Sequence, residues 1–307
     1  MAKSEHTFKT DDNIDIVYFK HTCETNAKAT VIIIHGMAEQ AQRYDDFAGF
    51  LNKNGFNVYT YDQRGHGKTA GSVEKQGFFA EKDGWKKVTS DLKKMIKIVQ
   101  TYSPDLPVFL LGHSMGTFVT RTFISDYDNT IKGVILSGTT GSAGLLGKTG
   151  ILLTNIIMLF KKKNSPCPLM DSLSFGDFNK AFKPNRTKFD WLSRDNEQVD
   201  KYVEDPYCGA IFSVGFYNDM MKGLEYVNKT ETANKVRKDL PLYLFSGDKD
   251  PVSKNGKQVK EVFEMYKNAG ISDISMKLYE GARHETLNET NKEEVYNDVL
   301  IWLNKHI

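Results

Sequence analysis

The sequence predicts an α/β fold, a mostly parallel sheet flanked by helices and carrying a helical insertion. Three observations predict it. Apolar, β-branched runs alternate with amphipathic helical stretches, the pattern of a parallel sheet with helical crossovers. A Gly-x-Ser-x-Gly, residues 112–116, stands between one apolar run and a stretch that can be written as a helix. The alternation then lapses between Gly138 and about Lys238 and resumes at Leu240. One folding unit interrupted by an insert accounts for all three. The expected division is a core of residues 1–138 and 239–307 with a helical cap, or lid, over 139–238.

Taken in order, residues 6–10 and 14–19 flank the turn-rich Asp11-Asp12-Asn13 and read as a β-hairpin. The run Ala29–Ile34 is β-branched throughout, as in a strand covered on both faces. A helix over 44–54 stops at Gly55, and 56–61 is the next strand. Val88, Leu92, Met95, Ile96 and Val99 share one face of a helix over 85–102. Residues 107–111 form the strand before the Gly-x-Ser-x-Gly, 117–126 the helix after it, and 132–137 one more strand. Beyond the insertion come a strand at 240–247, a helix at 256–267, a strand at 275–279 and a last helix at 291–304.

Length and composition restrict the function classes. A chain of 307 residues with 40% hydrophobic content can bury a sizeable core. Its 41 Lys and Arg against 39 Asp and Glu leave a net charge of +2, which gives no basis for a nucleic-acid partner. Cys23, Cys167 and Cys208 are scattered and lack metal-ligand spacing, so they read as thiols in a reducing compartment. The polar first residues carry no apolar signal core, and the expected location is cytoplasmic.

Within the insertion, residues 151–160 form an apolar stretch followed by Lys161-Lys162-Lys163. It is too short to cross a bilayer. The reading adopted is a buried helix of the cap; the competing one is an apolar flap with a basic edge that touches lipid. The aromatic residues between Phe175 and Tyr217 read mostly as the cap's own core, with a minority lining a pocket.

The chemistry centres on Ser114. A Gly-x-Ser-x-Gly between strand and helix forces the serine into a strained turn and raises its hydroxyl above the sheet edge. That hydroxyl is a poor nucleophile without a base. His284, in the loop after the strand 275–279, stands at the same edge of a parallel sheet. The imidazole in turn needs a carboxylate. Asp250, before Pro251-Val252, is the choice; Asp248, nearer the strand end, reads as a turn cap. A tetrahedral oxyanion needs backbone donors, expected from Met115 after the nucleophile and Met37 in the loop after 29–34. His35, His66 and His113 read as structural, and residues 62–69 as a buttress for that loop.

The order Ser, Asp, His is that of α/β-hydrolases. With His35-Gly36-Met37, Asp62-Gln63-Arg64-Gly65-His66-Gly67, Gly112-His113-Ser114-Met115-Gly116, Gly247-Asp248-Lys249-Asp250-Pro251-Val252 and Tyr279-Glu280-Gly281-Ala282-Arg283-His284 in place, the chain resembles one branch of that superfamily. The branch is that of the monoacylglycerol lipases and lysophospholipases, also catalogued with the serine aminopeptidases. The resemblance implies Ser114, Asp250 and His284 as triad, Met37 and Met115 as oxyanion donors, no metal or cofactor, and a cap over an acyl channel. It departs from proline iminopeptidases, which usually carry tryptophan where Met115 stands. Epoxide hydrolases and dehalogenases place aspartate at the Ser114 position.

The expected activity is therefore hydrolysis of a fatty acyl ester, with a lipid or other acyl ester as substrate and with membrane or micelle contact through the cap. Two other readings stand beside it: a short-chain esterase or acyl-thioesterase, and a ligand-binding protein on a hydrolase scaffold.

Overall fold

The computed structural model describes residues 2–24, 26–127 and 130–307. Strands β1 (Ala2–Lys9) and β2 (Asp15–Thr22) form the expected hairpin, longer at both outer ends than the sequence pattern suggests. Then follow β3 (Ala29–Ile34), α1 (Asp45–Lys53), β4 (Phe56–Tyr61), α2 (Gly84–Tyr102), β5 (Val108–His113), α3 (Met115–Asp126) and β6 (Gly133–Ser137). Helices α4 (Gly144–Ile157), α5 (Pro168–Phe175), α6 (Asn196–Glu204), α7 (Val214–Val227) and α8 (Thr230–Lys235) come next. The chain closes with β7 (Leu242–Gly247), α9 (Lys257–Asn268), β8 (Ile274–Tyr279) and α10 (Lys292–Lys305).

The eight strands make one sheet in the order β1-β2-β4-β3-β5-β6-β7-β8. The β1–β2 and β2–β4 pairs are antiparallel and all others parallel. Side chains alternate between two cores, as the two-residue period of a strand requires. Ile32 and Ile34 of β3 join Val88 and Leu92 of α2 and Val119 of α3 on one face. Val31 and Ile33 join Phe47 of α1 and Val299 of α10 on the other. Because β3, β5, β7 and β8 run parallel, the loops that follow them open at one edge of the sheet.

Between β6 and β7 the chain departs from the alternation of strand and helix. Among the described residues the only strand-like pairing there is an isolated bridge between Pro166 and Ser213. Helix α7 packs into the first core through Phe216 and Tyr217, while Trp191, Leu192 and Tyr202 form a separate small cluster.

The expectation of a buried helix over 151–160 does not hold. Only Thr154 of α4 is buried. Leu152 is 60% exposed, and beyond the helix end Leu159 and Phe160 are 78% and 84% exposed. The reason lies in the packing. Helix α4 meets α7 through a polar contact, Asn218 Nδ2 donating to Thr154 Oγ1 at 2.8 Å and to Asn155 Oδ1 at 2.9 Å. Leu153 and Ile157 pack partly against the core, whereas the remaining apolar faces have no cover. A helix apolar on all sides needs neighbours on all sides to be buried, and α4 has them on one.

Candidate active site

Ser114 caps α3 with φ 50° and ψ −121°, a conformation that side chains avoid. Its N–H donates to Ser137 O at 2.9 Å, and its carbonyl accepts from Thr117 N–H. The turn is possible only because its neighbours are glycines. A Cβ at Gly116 would lie 2.1 Å from Ile34 O, and one at Gly112 would lie 2.7 Å from Gly116 O. Helix and strand are therefore in contact at backbone distance, and Met115 N–H is the first of the helix amides without an intrahelical partner.

The structure brings Asp250 and His284 together. His284 Nδ1 lies 3.0 Å from Asp250 Oδ1, and both side chains are buried. Two more donors hold the carboxylate: Ser246 Oγ to Oδ2 at 2.7 Å and Val252 N–H to Oδ1 at 2.9 Å. Burial pushes the Asp250 carboxyl up, but the His284 ring and these hydrogen bonds outweigh it and hold it below its ordinary range. Burial likewise pulls His284 down, and the Asp250 carboxylate reverses that and raises it. Each group favours the ionised form of the other. Asp248 takes the other role expected of it, accepting Gly281 N–H at 2.7 Å.

With Nδ1 engaged, Nε2 is the ring nitrogen left for Ser114. Both residues line one cavity, and no hydrogen bond joins Ser114 Oγ to the ring among the described residues. Such contacts commonly tighten only when substrate binds.

The loop after β3 reaches the same place. A Cβ built on Gly36 would lie 3.1 Å from Ser114 Cβ, and Met37 lines the cavity. Residues 62–69 brace this loop from below. Gln63 N–H donates to His35 Nε2 at 3.0 Å, and Asp62 Oδ1 accepts Ala41 N–H at 2.8 Å. His66 stacks edge-on against His35 with ring centroids 4.9 Å apart. His113, whose ring centre is 4.8 Å from that of His284, is drawn down to about 4 by burial and by the neighbouring imidazole. Burial also draws His66 well below its ordinary value, so His66 and His113 stay neutral.

Sequence reasoning missed the groups behind the site. Glu39 Oε1 accepts Gly36 N–H at 2.6 Å and Tyr44 Oη at 3.0 Å. Arg43 donates to Glu39 Oε2 at 3.1 Å and to both oxygens of Glu285, Nη2 to Oε2 at 2.7 Å. Burial pushes the Glu285 carboxyl up, but Arg43 outweighs it and brings the group down to about 2. The insertion adds its own hold. Tyr202 Oη and Gly209 N–H both donate to Ala38 O at 2.9 Å, where Ala38 sits at φ 56°. Glu285 N–H donates to Leu192 O at 2.8 Å. The only signal in the sequence was the Glu39–Arg43 spacing of four, compatible with a pair on one helical turn.

The cavity above Ser114 measures about 530 Å³, within the usual span of small-ligand sites. Phe175, Phe189, Trp191 and Val252 give it an apolar wall, while Asp171, Asn179, Thr187 and Lys188 give it a polar one. Most of that lining comes from the insertion. Among the described residues, no cluster of His, Cys, Asp and Glu is arranged to hold a metal.

A strained serine at a strand–helix turn, set in this sheet order, defines an α/β-hydrolase. The chain belongs to the serine aminopeptidase S33 family, which it matches over residues 25–291. It is 26% identical to the monoacylglycerol lipase of Mycolicibacterium smegmatis over all of this chain and 99% of that protein. It is 30% identical to a putative monoglyceride lipase of Schizosaccharomyces pombe over 91% of this chain and 68% of that protein. A thermostable carboxyl esterase from Bacillus coagulans, solved in complex with glycerol, superposes with a TM-score of 0.93 at 27% identity. That match covers 100% of this chain and 99% of the esterase.

Proposed function

We propose that this chain is a serine carboxylic-ester hydrolase of the monoacylglycerol lipase type. The observation that carries the reading is the buried Asp250–His284 pair opening onto the same cavity as the strained Ser114. Ser114 Oγ attacks the ester carbonyl while His284 Nε2 takes its proton. Met37 and Met115 N–H donate to the developing oxyanion. The tetrahedral intermediate collapses, His284 returns the proton to the departing alcohol, and water then repeats the sequence on the acyl-serine. A pure binding protein would have no use for a buried carboxylate oriented on this imidazole.

The two-sided cavity supports an amphiphilic substrate. An acyl chain fits the aromatic wall, and a hydroxylated headgroup fits the polar one. Asp171 there is paired with Tyr217 Oη at 3.1 Å, and burial pushes its carboxyl up. Lys188 is the cation in the polar wall named above. A glycerol headgroup suits this balance better than a phosphodiester, which calls for clustered cations or bidentate arginine. The relatives named as monoacylglycerol lipases, and the glycerol in the esterase, point the same way.

Residues 139–238 act in this reading as the lid over the cavity, and the exposed apolar face of α4 with Lys161 and Lys162 as its contact with a membrane or micelle. Among the described residues no helix is long and apolar enough to cross a membrane. Chain-length-resolved hydrolysis of monoacylglycerols and p-nitrophenyl esters, with Ser114→Ala as control, tests the proposal. Turnover that rises toward medium or long chains and vanishes in Ser114→Ala is the expected result. Activity confined to acetyl and butyryl esters would replace it with a short-chain esterase. Absence of both turnover and fluorophosphonate labelling at Ser114 would leave the binding-protein reading.

A further inference from the structure

We infer that Glu39, Arg43 and Glu285 form one positioning unit that ties the oxyanion loop to the histidine loop. The inference rests on the esterase reading above and assigns a role that the triad and its backbone donors do not cover. Its basis is connectivity. Glu39 and Arg43 follow β3, whereas Glu285 follows β8, so the two loops come from opposite sides of the Ser114 strand in the sheet order. One guanidinium joins them.

Each end of the unit is attached to a part of the reaction site. At one end Glu39 Oε1 takes the N–H of Gly36, the residue before Met37. Gly36 is close to Ser114, so a shift of this peptide re-aims the adjacent Met37 N–H. At the other end Glu285 is the residue after His284, and its position is set by a two-pronged pair with Arg43 and by Leu192 O. Arg43 itself is buried under Tyr202, whose ring centre lies 4.8 Å from the guanidinium carbon. A planar fork with five donors can serve two carboxylates at once; a lysine ammonium cannot reproduce that geometry. The side chains of all three residues are less than one-tenth exposed, so solvent does little to screen them.

The unit also faces the imidazole electrostatically. The charged and titratable groups around His284 are Asp250 from the loop after β7, His113 at the end of β5, Glu39 and Arg43 from the loop after β3, and its own neighbour Glu285. Behind the dominant Asp250 contact, Glu285 and Glu39 add a smaller push that favours the imidazolium. Positioning and charge therefore predict separable effects.

Three variants in the full chain separate them, each read by the pH profile of kcat/KM, by kcat and KM at the optimum, and by melting temperature. Arg43→Lys keeps the charge and loses the fork. It should lower kcat on the order of 100-fold with KM little changed and with the acid limb in place, as expected of reacting groups displaced by about an ångström. Glu285→Gln keeps the shape and loses the charge, and should move the acid limb to lower pH. Glu39→Gln turns an amide N–H toward Arg43, and should slow fluorophosphonate labelling of Ser114 as well as turnover. If these variants fold and all three keep wild-type kcat and acid limb, the unit has no role in the reaction and the inference falls. Should Arg43→Lys fail to fold, Glu285→Gln and Glu39→Gln decide alone. An inactive wild type would count against the esterase reading itself, a result these variants cannot produce.

Discussion

Asp250 holds His284 by a 3.0 Å contact from Oδ1 to Nδ1, and its other oxygen is occupied by Ser246. The carboxylate is thus oriented before any substrate arrives. In the proposed mechanism a neutral His284 accepts the Ser114 proton, so kcat/KM should climb as pH rises through the raised His284 value. Asp250→Asn removes the cause of that rise. Turnover should fall by about 10⁴-fold and the acid limb should move to lower pH. An unmoved limb with near-normal turnover would assign the role to another carboxylate.

The same pair makes a stability prediction with a definite sign. His284, raised on folding, contributes fully below its unfolded value of about 6.5 and loses that contribution as pH rises through the folded value. Asp250, lowered on folding, contributes above its unfolded value of about 3.9 and loses that contribution as pH falls through the folded one. The difference in melting temperature between wild type and Asp250→Asn should therefore be largest between about pH 4 and 6.5. A difference that is flat across that window would mean the pair is not ionised there.

Gly116→Ala tests the turn at Ser114. Its Cβ would stand 2.1 Å from Ile34 O and 2.6 Å from His35 O, both backbone atoms that cannot swing aside. Helix α3 would have to retreat from β3, a cost at or above the upper end of the roughly 1–3 kcal/mol typical of overpacking. Gly71→Ala is the contrast. That glycine has φ +81° and nothing within 4 Å, so only the backbone penalty of about 1–2 kcal/mol remains. Urea midpoints of the two variants should differ clearly, with Gly116→Ala the lower and also inactive. Equal midpoints would show that α3 is not held at this contact.

These features differ in how far the sequence discloses them. Ile32, Leu110 and Leu244 sit in unbroken apolar runs, and such runs between helical stretches define a doubly covered parallel sheet. Ser114, Asp250 and His284 each stand just after a strand, so topology alone brings them to one edge. Arg43 and Glu285 carry no such mark. They are 242 residues apart and read as ordinary surface charges until the loops are placed. The same holds for Tyr202 over Ala38, a contact made across the insertion. For α4 the difficulty is of another kind. An apolar stretch records what a helix prefers to touch, while Leu159 and Phe160 are exposed because no neighbour reaches them.

The cavity lining predicts a headgroup preference. The cavity lining offers a phosphate the Lys188 ammonium against the Asp171 carboxylate, with Glu39 and Glu285 also in the lining and paired with Arg43. Monoacylglycerol should be hydrolysed with a kcat/KM at least about tenfold above that of a lysophospholipid of the same acyl chain, a preference of about 1.4 kcal/mol or more. Asp171→Asn should narrow that ratio while leaving p-nitrophenyl ester hydrolysis in place, because Asn can still accept the Tyr217 hydroxyl. A ratio that favours the lysophospholipid in the wild type would reverse the assignment of the polar wall.

The last prediction concerns the uncovered face of α4 and the turn after it. Leu152, Leu159 and Phe160 stand exposed beside Lys161 and Lys162, an apolar surface with a basic edge. Inserting one such side chain into a lipid interface is worth up to about 1.5–3 kcal/mol, or roughly 10- to 100-fold in partition. Leu159→Glu with Phe160→Glu should therefore release the chain from phosphatidylglycerol vesicles in a sedimentation assay. Raising salt should weaken wild-type binding only in part, because the apolar contribution is not screened. Neither residue lines the cavity, so hydrolysis of a water-soluble short-chain p-nitrophenyl ester should keep its kcat/KM. Turnover of long-chain substrate presented in micelles should drop with the partition. Unchanged vesicle binding in the double variant would show that α4 meets no lipid surface, and equal losses on soluble and micellar substrate would place these residues in the packing of the insertion instead.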